Sequence, residues 1–339
     1  KGKYLFNGSF RRDGSSAFSY TGNQWQNFYS VGAGWLMSEE KFMKDISWLD
    51  MLKLKGSWGT LGNQNLSTAY PAEPLLKNAY SAIFGKPSII YPGYQLAYLP
   101  NPNLRWEKVE AWEAGFETNL LRNRLHFEGV YYKKNTKDLL AEVPGISGTI
   151  PGIGNLGEIQ NKGVEMAVTW RDQIGDWGYS VSANLTTIKN EVKSLVQEGY
   201  SIIAGDKQQS YTMAGYPIGY FYGYKVAGVY QSQADIDASP KNTLATVTPG
   251  DLKFADVNGD GEITPEDRTM IGNPTPKVTY GFSLGVDYKN WSLGIDMMGQ
   301  GGNKIFRTWD NYNFAQFNYL EQRLDRWHGE GTSNTQPLL

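Results

Sequence analysis

The 339-residue sequence contains no cysteine, so neither a disulfide framework nor a thiolate metal site can form. It also lacks an excess of charge, since 32 basic residues stand against 34 acidic ones without a dense lysine and arginine stripe. The electrostatic basis for nucleic-acid binding is therefore missing. No uninterrupted apolar run approaches the roughly 18 to 20 residues of a membrane helix, and no secretory signal core follows the first residues.

Histidine is scarce as well, because His126 and His328 are the only two. Neither lies in a metal-ligand spacing or near a serine nucleophile motif, and adjacent carboxylates such as Glu39 and Glu40 suit solvated turns. The stretch GIGNLG, residues 152–157, matches a dinucleotide fingerprint, but it is predicted to be a loop that no helix follows. The sequence therefore does not predict an enzyme.

Alternation of apolar and polar residues is abundant. In PKVTYGFSLGVDYKNWSLGIDMMG, residues 276–299, apolar side chains fall at every second position, which predicts two strands joined by a turn at Lys289 and Asn290. Each such segment has about the length that crosses a bilayer at a tilt. The same period of two predicts nine strands, at residues 3–12, 26–37, 52–61, 107–120, 124–138, 160–171, 178–190, 277–288 and 291–300.

The faces of these strands differ in polarity, so the apolar face meets either a protein core or lipid. The connections between the strands distinguish a protein core from lipid. Short links alternate with long ones of about 44, 20 and 85 residues. In an up-and-down meander this parity puts the long loops at one end, as in a membrane β-barrel with long extracellular loops. A soluble sandwich has no reason for such parity. Aromatic residues near the strand ends would form two interfacial girdles, at Trp106, Tyr132, Trp170, Trp177, Tyr288 and Trp291.

Several stretches, in order along the chain, resemble one known family. NPNLRWEKVEAWEAGFETNLLRNRLHFEGVYYKKNTKDLL and IGNLGEIQNKGVEMAV are similar to barrel segments of TonB-dependent outer-membrane transporters of the SusC/RagA type. FNGSFRRDGSSAFS, WLDMLKLKGSWGTLGNQ and GDLKFADVNGDGEITPEDRTMIGNPTPKVTYGF continue the likeness. The resemblance implies an all-β fold, a transmembrane antiparallel β-barrel that forms part of a plugged barrel of about 22 strands with long extracellular loops.

The resemblance also implies an organisation and a function. Residues 1–339 would be a partial barrel domain without plug or signal peptide, and residues 250–272 an extracellular insertion. The protein would import a large nutrient, an oligosaccharide or a peptide, across the bacterial outer membrane beneath a SusD-like surface lipoprotein. The TonB–ExbB–ExbD complex would act on an N-terminal region outside this chain. A secreted calcium-stabilised carbohydrate-binding β-sandwich and a siderophore receptor remain alternatives.

The stretch DVNGDGEITPED, residues 256–267, has the spacing of a calcium loop. Oxygen-bearing side chains occupy positions one, three and five, Gly261 occupies position six, and a carboxylate occupies position twelve. Position twelve is aspartate where an EF-hand has glutamate, a version that dockerin-type loops resemble. An Asx-rich turn without metal is the alternative. The motif predicts a structural Ca²⁺ ion bound by Asp256, Asn258, Asp260, Glu262 through its backbone carbonyl, and Asp267.

The long predicted loops are rich in aromatic residues. Flat amphipathic rings can stack on sugar faces, although they can also pack a bulky loop or a partner surface. We predict substrate contacts at Tyr91, Tyr94, Tyr98 and Trp309.

Overall fold

The structure of the chain is a computed structural model that describes residues 2–66, 70–78, 81–143, 151–196, 198–307 and 320–338. Strands dominate these residues. In chain order they are β1 (Tyr4–Gly14), β2 (Trp25–Leu36), β3 (Leu49–Asn63), β4 (Leu76–Asn78), β5 (Ala82–Phe84), β6 (Ile89–Tyr91), β7 (Tyr94–Leu96), β8 (Glu107–Leu120), β9 (Leu125–Lys137), β10 (Leu140–Val143), β11 (Gly152–Asn155), β12 (Gly157–Ile174), β13 (Trp177–Thr187), β14 (Lys189–Leu195), β15 (Ser201–Ala204), β16 (Ser210–Met213), β17 (Tyr220–Tyr224), β18 (Val226–Val229), β19 (Lys241–Asn242), β20 (Leu252–Phe254), β21 (Glu262–Ile263), β22 (Arg268–Gly272), β23 (Val278–Tyr288) and β24 (Trp291–Gly301).

Helical segments in the described residues are short. The α-helix α1 covers Gln233–Asp237, and 3₁₀ helices occur at Ser16–Thr21, Met37–Glu39, Pro265–Asp267 and Glu321–Asp325. In the part of the chain that the structure describes, we find no helix with the length and apolar character needed to span a membrane.

The chain divides into two compact units. Unit 1 consists of Lys1–Ser201, Met213–Ile218 and Lys277–Gly301. Unit 2 consists of Ile202–Thr212, Gly219–Pro276 and Gly302–Leu339. Residues 250–272, predicted to be an insertion, lie within unit 2.

The long strands of unit 1 form one antiparallel sheet in the order β1-β2-β3-β8-β9-β12-β13-β23-β24, with β14 paired to the far end of β12. These nine strands match the nine predicted from alternation, and each pairs with the next long strand along the chain. The prediction of an all-β antiparallel meander is therefore confirmed.

One face of this sheet is apolar and exposed, and we call it the apolar face. Its side chains include Phe6 at 81% exposure, Trp112 at 55% and Met297 at 57%. In a soluble sandwich such residues would be covered by a second sheet. A contiguous exposed apolar surface of this kind is instead suited to lipid.

The opposite face of the sheet is polar and is crossed by ion pairs. Lys53 Nζ lies 3.5 Å from Glu117 Oε2, and Lys55 pairs with Glu128 on β9. These four side chains are about one-third exposed, so water screens the pairs and each contributes little to stability. The polar face is thus hydrated rather than packed.

Two aromatic residues do not belong to the predicted interfacial girdles. Trp106, only 5% exposed, packs with Phe18 at a ring-centroid distance of 5.3 Å and donates its indole N–H to the Asn23 carbonyl. Tyr132 is 8% exposed and donates its hydroxyl to the Thr187 carbonyl. Both side chains point away from the apolar face, because strand-end position alone does not fix which side a ring takes.

Unit 2 has short strands and a small buried core. Ile263, Tyr230 and Val229 are each about 1% exposed or less. Its last segment, Gly302–Leu339, is joined to its middle segment, Gly219–Pro276, by hydrogen bonds, since Asn334 Oδ1 accepts from the Val229 N–H and the Gln231 amide donates to the Ser333 carbonyl. These bonds connect residues roughly one hundred positions apart, so unit 2 depends on long-range contacts.

Candidate functional site

The predicted calcium loop in unit 2 adopts a tight, internally hydrogen-bonded conformation. Asp256 accepts the N–H of Gly259 at 2.6 Å through Oδ1 and the N–H of Gly261 at 2.8 Å through Oδ2. Gly261 has φ +86°, which explains why glycine stands at position six. The first carboxylate of the loop therefore faces its interior.

The third and fifth positions form an Asx-type turn. Asn258 Oδ1 accepts the Asp260 N–H at 3.1 Å, and Asp260 Oδ1 accepts the Glu262 N–H at 2.8 Å. The Asn258 amide also donates to Asp260 Oδ2 at 2.9 Å. The oxygens of these side chains are thus gathered on one short stretch of backbone.

Asp267, the twelfth residue, is fully buried. Its Oδ1 accepts the N–H of Val257 at 2.8 Å, and its Oδ2 accepts the N–H of Thr264 at 2.7 Å. These backbone hydrogen bonds stabilise the anion and lower the pKa of Asp267. Asp267 therefore carries a negative charge inside the loop, where it closes the loop back on its own beginning.

Glu262 occupies β21, which pairs in parallel with β19. Its side chain points toward Lys241, with Nζ and Oε1 3.6 Å apart. The eighth residue, Ile263, is completely buried and anchors the loop to the core of unit 2. The side chain of Glu262 is thus used outside the loop, which leaves its backbone carbonyl as the predicted ligand.

Every predicted donor of the loop is an oxygen, and this suits a hard cation such as Ca²⁺ rather than zinc. Within the described ranges, however, no three His, Cys, Asp or Glu side chains are gathered closely enough to form a metal site by themselves. Each carboxylate oxygen that accepts one N–H retains a second lone pair. The loop therefore fits a mixed set of side-chain and backbone oxygens.

Three of the four aromatic residues predicted to contact substrate are described by the structure, and they differ in exposure. Tyr91 and Tyr94 are exposed by 51% and 63%, at the end of β6 and the start of β7. Tyr98 is buried, its hydroxyl donates to the Tyr70 carbonyl at 3.1 Å, and burial raises its pKa. Trp309 lies outside the described residues. Of the four, Tyr91 and Tyr94 present open ring surface.

A cavity of 970 Å³ in unit 2 was not predicted from the sequence. It shares Asp256 and Val257 with the calcium loop, and it contains the side chains of Lys225 and Lys304. Its aromatic walls are Phe221, Tyr224 and Phe306. No spacing in the sequence indicates the cavity, because residues from four separate segments meet there.

The two histidines, which the sequence does not predict to be catalytic, lie within hydrogen-bond distance of nearby groups. His126 Nδ1 lies 2.7 Å from Asn119 Oδ1 on the neighbouring strand, and His328 Nδ1 lies 3.0 Å from the Arg326 carbonyl. The stretch 152–157 forms β11 and the start of β12 in place of the predicted loop. Because no helix follows it, the dinucleotide interpretation is excluded as predicted.

Comparison with known proteins decides the family. The model of the TonB-dependent receptor-like β-barrel family matches residues 1–335. The chain belongs to this family. Its members are receptors and transporters of the bacterial outer membrane, and the protein is located there.

Individual relatives confirm the SusC/RagA type. The chain is 32% identical to TonB-dependent receptor P3 of Formosa agariphila over 99% of its own length and 34% of that protein. It is 30% identical to TonB-dependent receptor SusC of Bacteroides thetaiotaomicron, over 90% of the chain and 30% of SusC.

A solved structure shows the same architecture. The RagAB peptide importer in its closed-closed state matches with a TM-score of 0.69 and 26% identity, over 88% of this chain and 32% of that chain. The chain therefore spans about one third of the length of the relatives it matches.

Proposed function

We propose that the protein imports a large nutrient across the outer membrane with energy from the TonB–ExbB–ExbD complex. The observation that carries this proposal is the long-stranded sheet, with its exposed apolar face and its opposite face crossed by ion pairs. Lipid would contact the apolar face, while the polar face would border a hydrated lumen and plug. In this proposal the chain transports its ligand and does not catalyse a reaction.

A SusD-like surface lipoprotein is the proposed partner. The support is family membership together with the matches to SusC and to the RagAB peptide importer. To test it, the full-length protein is expressed in its native host, extracted from outer membranes with detergent and analysed by mass spectrometry. We expect a stoichiometric lipoprotein in the purified complex. Recovery of the protein alone after mild extraction would contradict the partnership.

An oligosaccharide is the proposed substrate, with a peptide as the second candidate because the matched structure is that of a peptide importer. Exposed rings at Tyr91 and Tyr94 would stack on sugars, and we retain Tyr98 and Trp309 in the proposed set. Uptake of labelled oligosaccharides and labelled peptides should be compared in cells with and without TonB. TonB-dependent uptake of peptides alone would replace the first candidate by the second.

We also propose that residues 256–267 bind a structural Ca²⁺ ion through Asp256, Asn258, Asp260, the Glu262 carbonyl and Asp267. Supporting features are the inward carboxylates of Asp256 and Asp267 and the left-handed conformation at Gly261. When bound, the ion would neutralise acidic groups and hold the loop against Ile263 in the core of unit 2.

Hydrogen exchange of residues 250–272 in Ca²⁺ and in chelator tests this site directly. We expect Ca²⁺ to slow exchange in the wild type and to have no effect in an Asp256→Asn, Asp260→Asn variant. Glu266→Gln is the matched control, because Glu266 lies in the same loop, is exposed and is outside the proposed ligand set. Exchange that is independent of Ca²⁺ in the wild type would contradict the proposal.

A further inference from the structure

Three lysines stand side by side on the apolar face of unit 1. Lys133 on β9 is directly opposite Lys162 on β12, and Lys162 is directly opposite Lys189 on β14. Directly opposed residues of antiparallel strands point to the same side, with their Cβ atoms about 4.5–5.5 Å apart. We call these three residues the lysine row.

On β9 and β12 the lysine row marks the point where the apolar part of the strand ends. On β9, Lys133 follows the exposed Tyr131 by two positions, and on β12, Lys162 precedes Val164 and the exposed Met166 on the same face. A lysine at such a boundary extends its ammonium group to the headgroup level of the bilayer. The row therefore faces lipid headgroups rather than the hydrated side of the sheet.

The nearest carboxylates make their close ion pairs with other lysines, and Glu191 attracts Lys162 and Lys189 only at longer range. Glu110 is occupied by Lys137, with Oε2 and Nζ 2.9 Å apart, and Glu191 is occupied by Lys193, with Oε1 and Nζ 2.5 Å apart. None of the three row lysines has a carboxylate within 4.0 Å among the residues that the structure describes. Like charges placed opposite one another on a sheet repel, so an anion bound between them would relieve that repulsion.

An apolar groove begins beside the row. Trp112 is directly opposite Lys133 on one side and Trp58 on the other, and the two indole rings lie 6.0 Å apart. Beyond them lies a cavity of 770 Å³ whose outward lining includes Phe6, Ala33 and Gly56. Neighbouring strands are about 4.8 Å apart, so the groove lies within the length of one acyl chain from the lysines.

We propose that this surface is a binding site for an anionic lipid of the outer membrane, with the headgroup phosphate on Lys133, Lys162 and Lys189 and an acyl chain in the groove. The charge of the row matches the phosphate, and the groove matches the hydrocarbon. The inference uses the location of the protein in the membrane and is independent of what the protein imports.

The test measures lipid retention by native mass spectrometry of the full-length protein in detergent, titrated with phosphatidylglycerol or phosphatidylcholine. A lysine near an anionic lipid surface contributes about fivefold in affinity, so the Lys133→Gln, Lys162→Gln, Lys189→Gln variant should bind phosphatidylglycerol roughly 100-fold more weakly. The wild type should prefer phosphatidylglycerol to phosphatidylcholine. Equal retention by the wild type and the triple variant would overturn the proposal.

A matched control removes the same charge elsewhere. In the Lys77→Gln, Lys134→Gln, Lys207→Gln variant the row is intact, and Lys134 lies over the Tyr132 ring on the opposite face of β9. This control should retain lipid as the wild type does. An equal loss in the control would show that binding follows total charge and would overturn the site.

Two further experiments test the acyl-chain groove and the headgroup site separately. Gly56→Leu fills the groove, and an added Cβ there meets no atom closer than 3.6 Å, so the sheet accommodates it. We expect this variant to weaken lipid retention severalfold, and unchanged retention would overturn the assignment of the groove. Inorganic phosphate at 100-fold excess should not displace the lipid, whereas full displacement would make the row a site for free anions instead.

Discussion

The two units differ in the exposure of their large apolar side chains. Unit 1 leaves large side chains such as Trp291 and Met297 exposed along strands of eleven residues or more. Unit 2 has strands of two to five residues and buries Ile263 and Tyr230 almost completely. The difference shows that unit 1 takes lipid as its apolar surroundings, whereas unit 2 builds its own core in water.

We expect the largest loss of stability from a cavity in the core of unit 2. Ile263→Ala should lower the free energy of unfolding of unit 2 by about 2–5 kcal/mol, because a completely buried side chain leaves a cavity. Ile295→Ala on β24, where the side chain is 42% exposed on the apolar face, should cost about 1–2 kcal/mol since lipid fills the space. Denaturant titration of the reconstituted protein, with protease cleavage reporting on unit 2, gives both values. Equal losses of unfolding free energy in the two variants would contradict the difference between a protein core in unit 2 and a lipid-facing surface in unit 1.

A charge on the apolar face of unit 1 should cost nearly as much. Phe282→Arg is expected to destabilise the protein by about 2–4 kcal/mol if it lies near the bilayer midplane. Ser283→Arg on the opposite face is the control, and it should cost less than about 1 kcal/mol because Asp296 stands directly opposite. Folding equilibria in lipid vesicles measure the pair. Equal damage at both positions would favour a buried sandwich.

Removal of the Asp267 carboxylate should have an intermediate effect. Asp267→Ala leaves the N–H groups of Val257 and Thr264 without their acceptor, which costs about 1–3 kcal/mol. Faster hydrogen exchange across residues 250–272, with unchanged exchange in β23 and β24, would locate the loss in unit 2. Glu266→Gln should leave both regions unchanged.

The pH dependence of the loop follows from the same carboxylate. The pKa of Asp267 is lower in the folded loop than in the unfolded chain, because backbone N–H groups stabilise its anion. Its contribution to stability is therefore complete above the unfolded value of about 3.9 and is lost as the pH falls through the folded value. Protection of residues 250–272 should decrease from pH 6 to pH 3 more than protection of β23. Equal decreases would contradict this assignment.

The smallest predicted effect concerns the ion pairs of the polar face. A double-mutant cycle with Lys53→Met and Glu117→Gln should give a coupling of about 1 kcal/mol or less, because both groups are partly solvated. The coupling should decrease further in 1 M salt. A coupling of several kcal/mol would mean that this face is dry.

The strands of unit 1 could be predicted because alternation is a local property. Residues 107–120 were predicted and observed as one strand, and the hairpin at Lys289 and Asn290 was placed correctly. Trp106 was misassigned, since its burial against Phe18 depends on a fold of the β1–β2 connection that no period reports. The lysine row was also missed, because it requires the register of three strands, β9, β12 and β14.

The structure of unit 2 could not be predicted from the sequence, except for the loop at residues 256–267. The conformation of residues 256–267 follows from the positions of Asp256, Gly261 and Asp267, which are set within twelve residues. The cavity and the small core depend instead on segments far apart in sequence, such as Asn334 and Val229. Their residues have no shared period, so pattern analysis had nothing to detect.

The interrupted path of the chain through unit 2 has a consequence for biogenesis. Residues 277–301 belong to unit 1, yet in the sequence they lie between Val229 and Asn334. Asn334 Oδ1 accepts the hydrogen bond of the Val229 backbone N–H. Unit 2 therefore cannot complete its core until the ribosome and the secretion machinery have delivered the β23–β24 hairpin. Closing so long a loop is slow, so its final assembly is expected to be a late step of maturation.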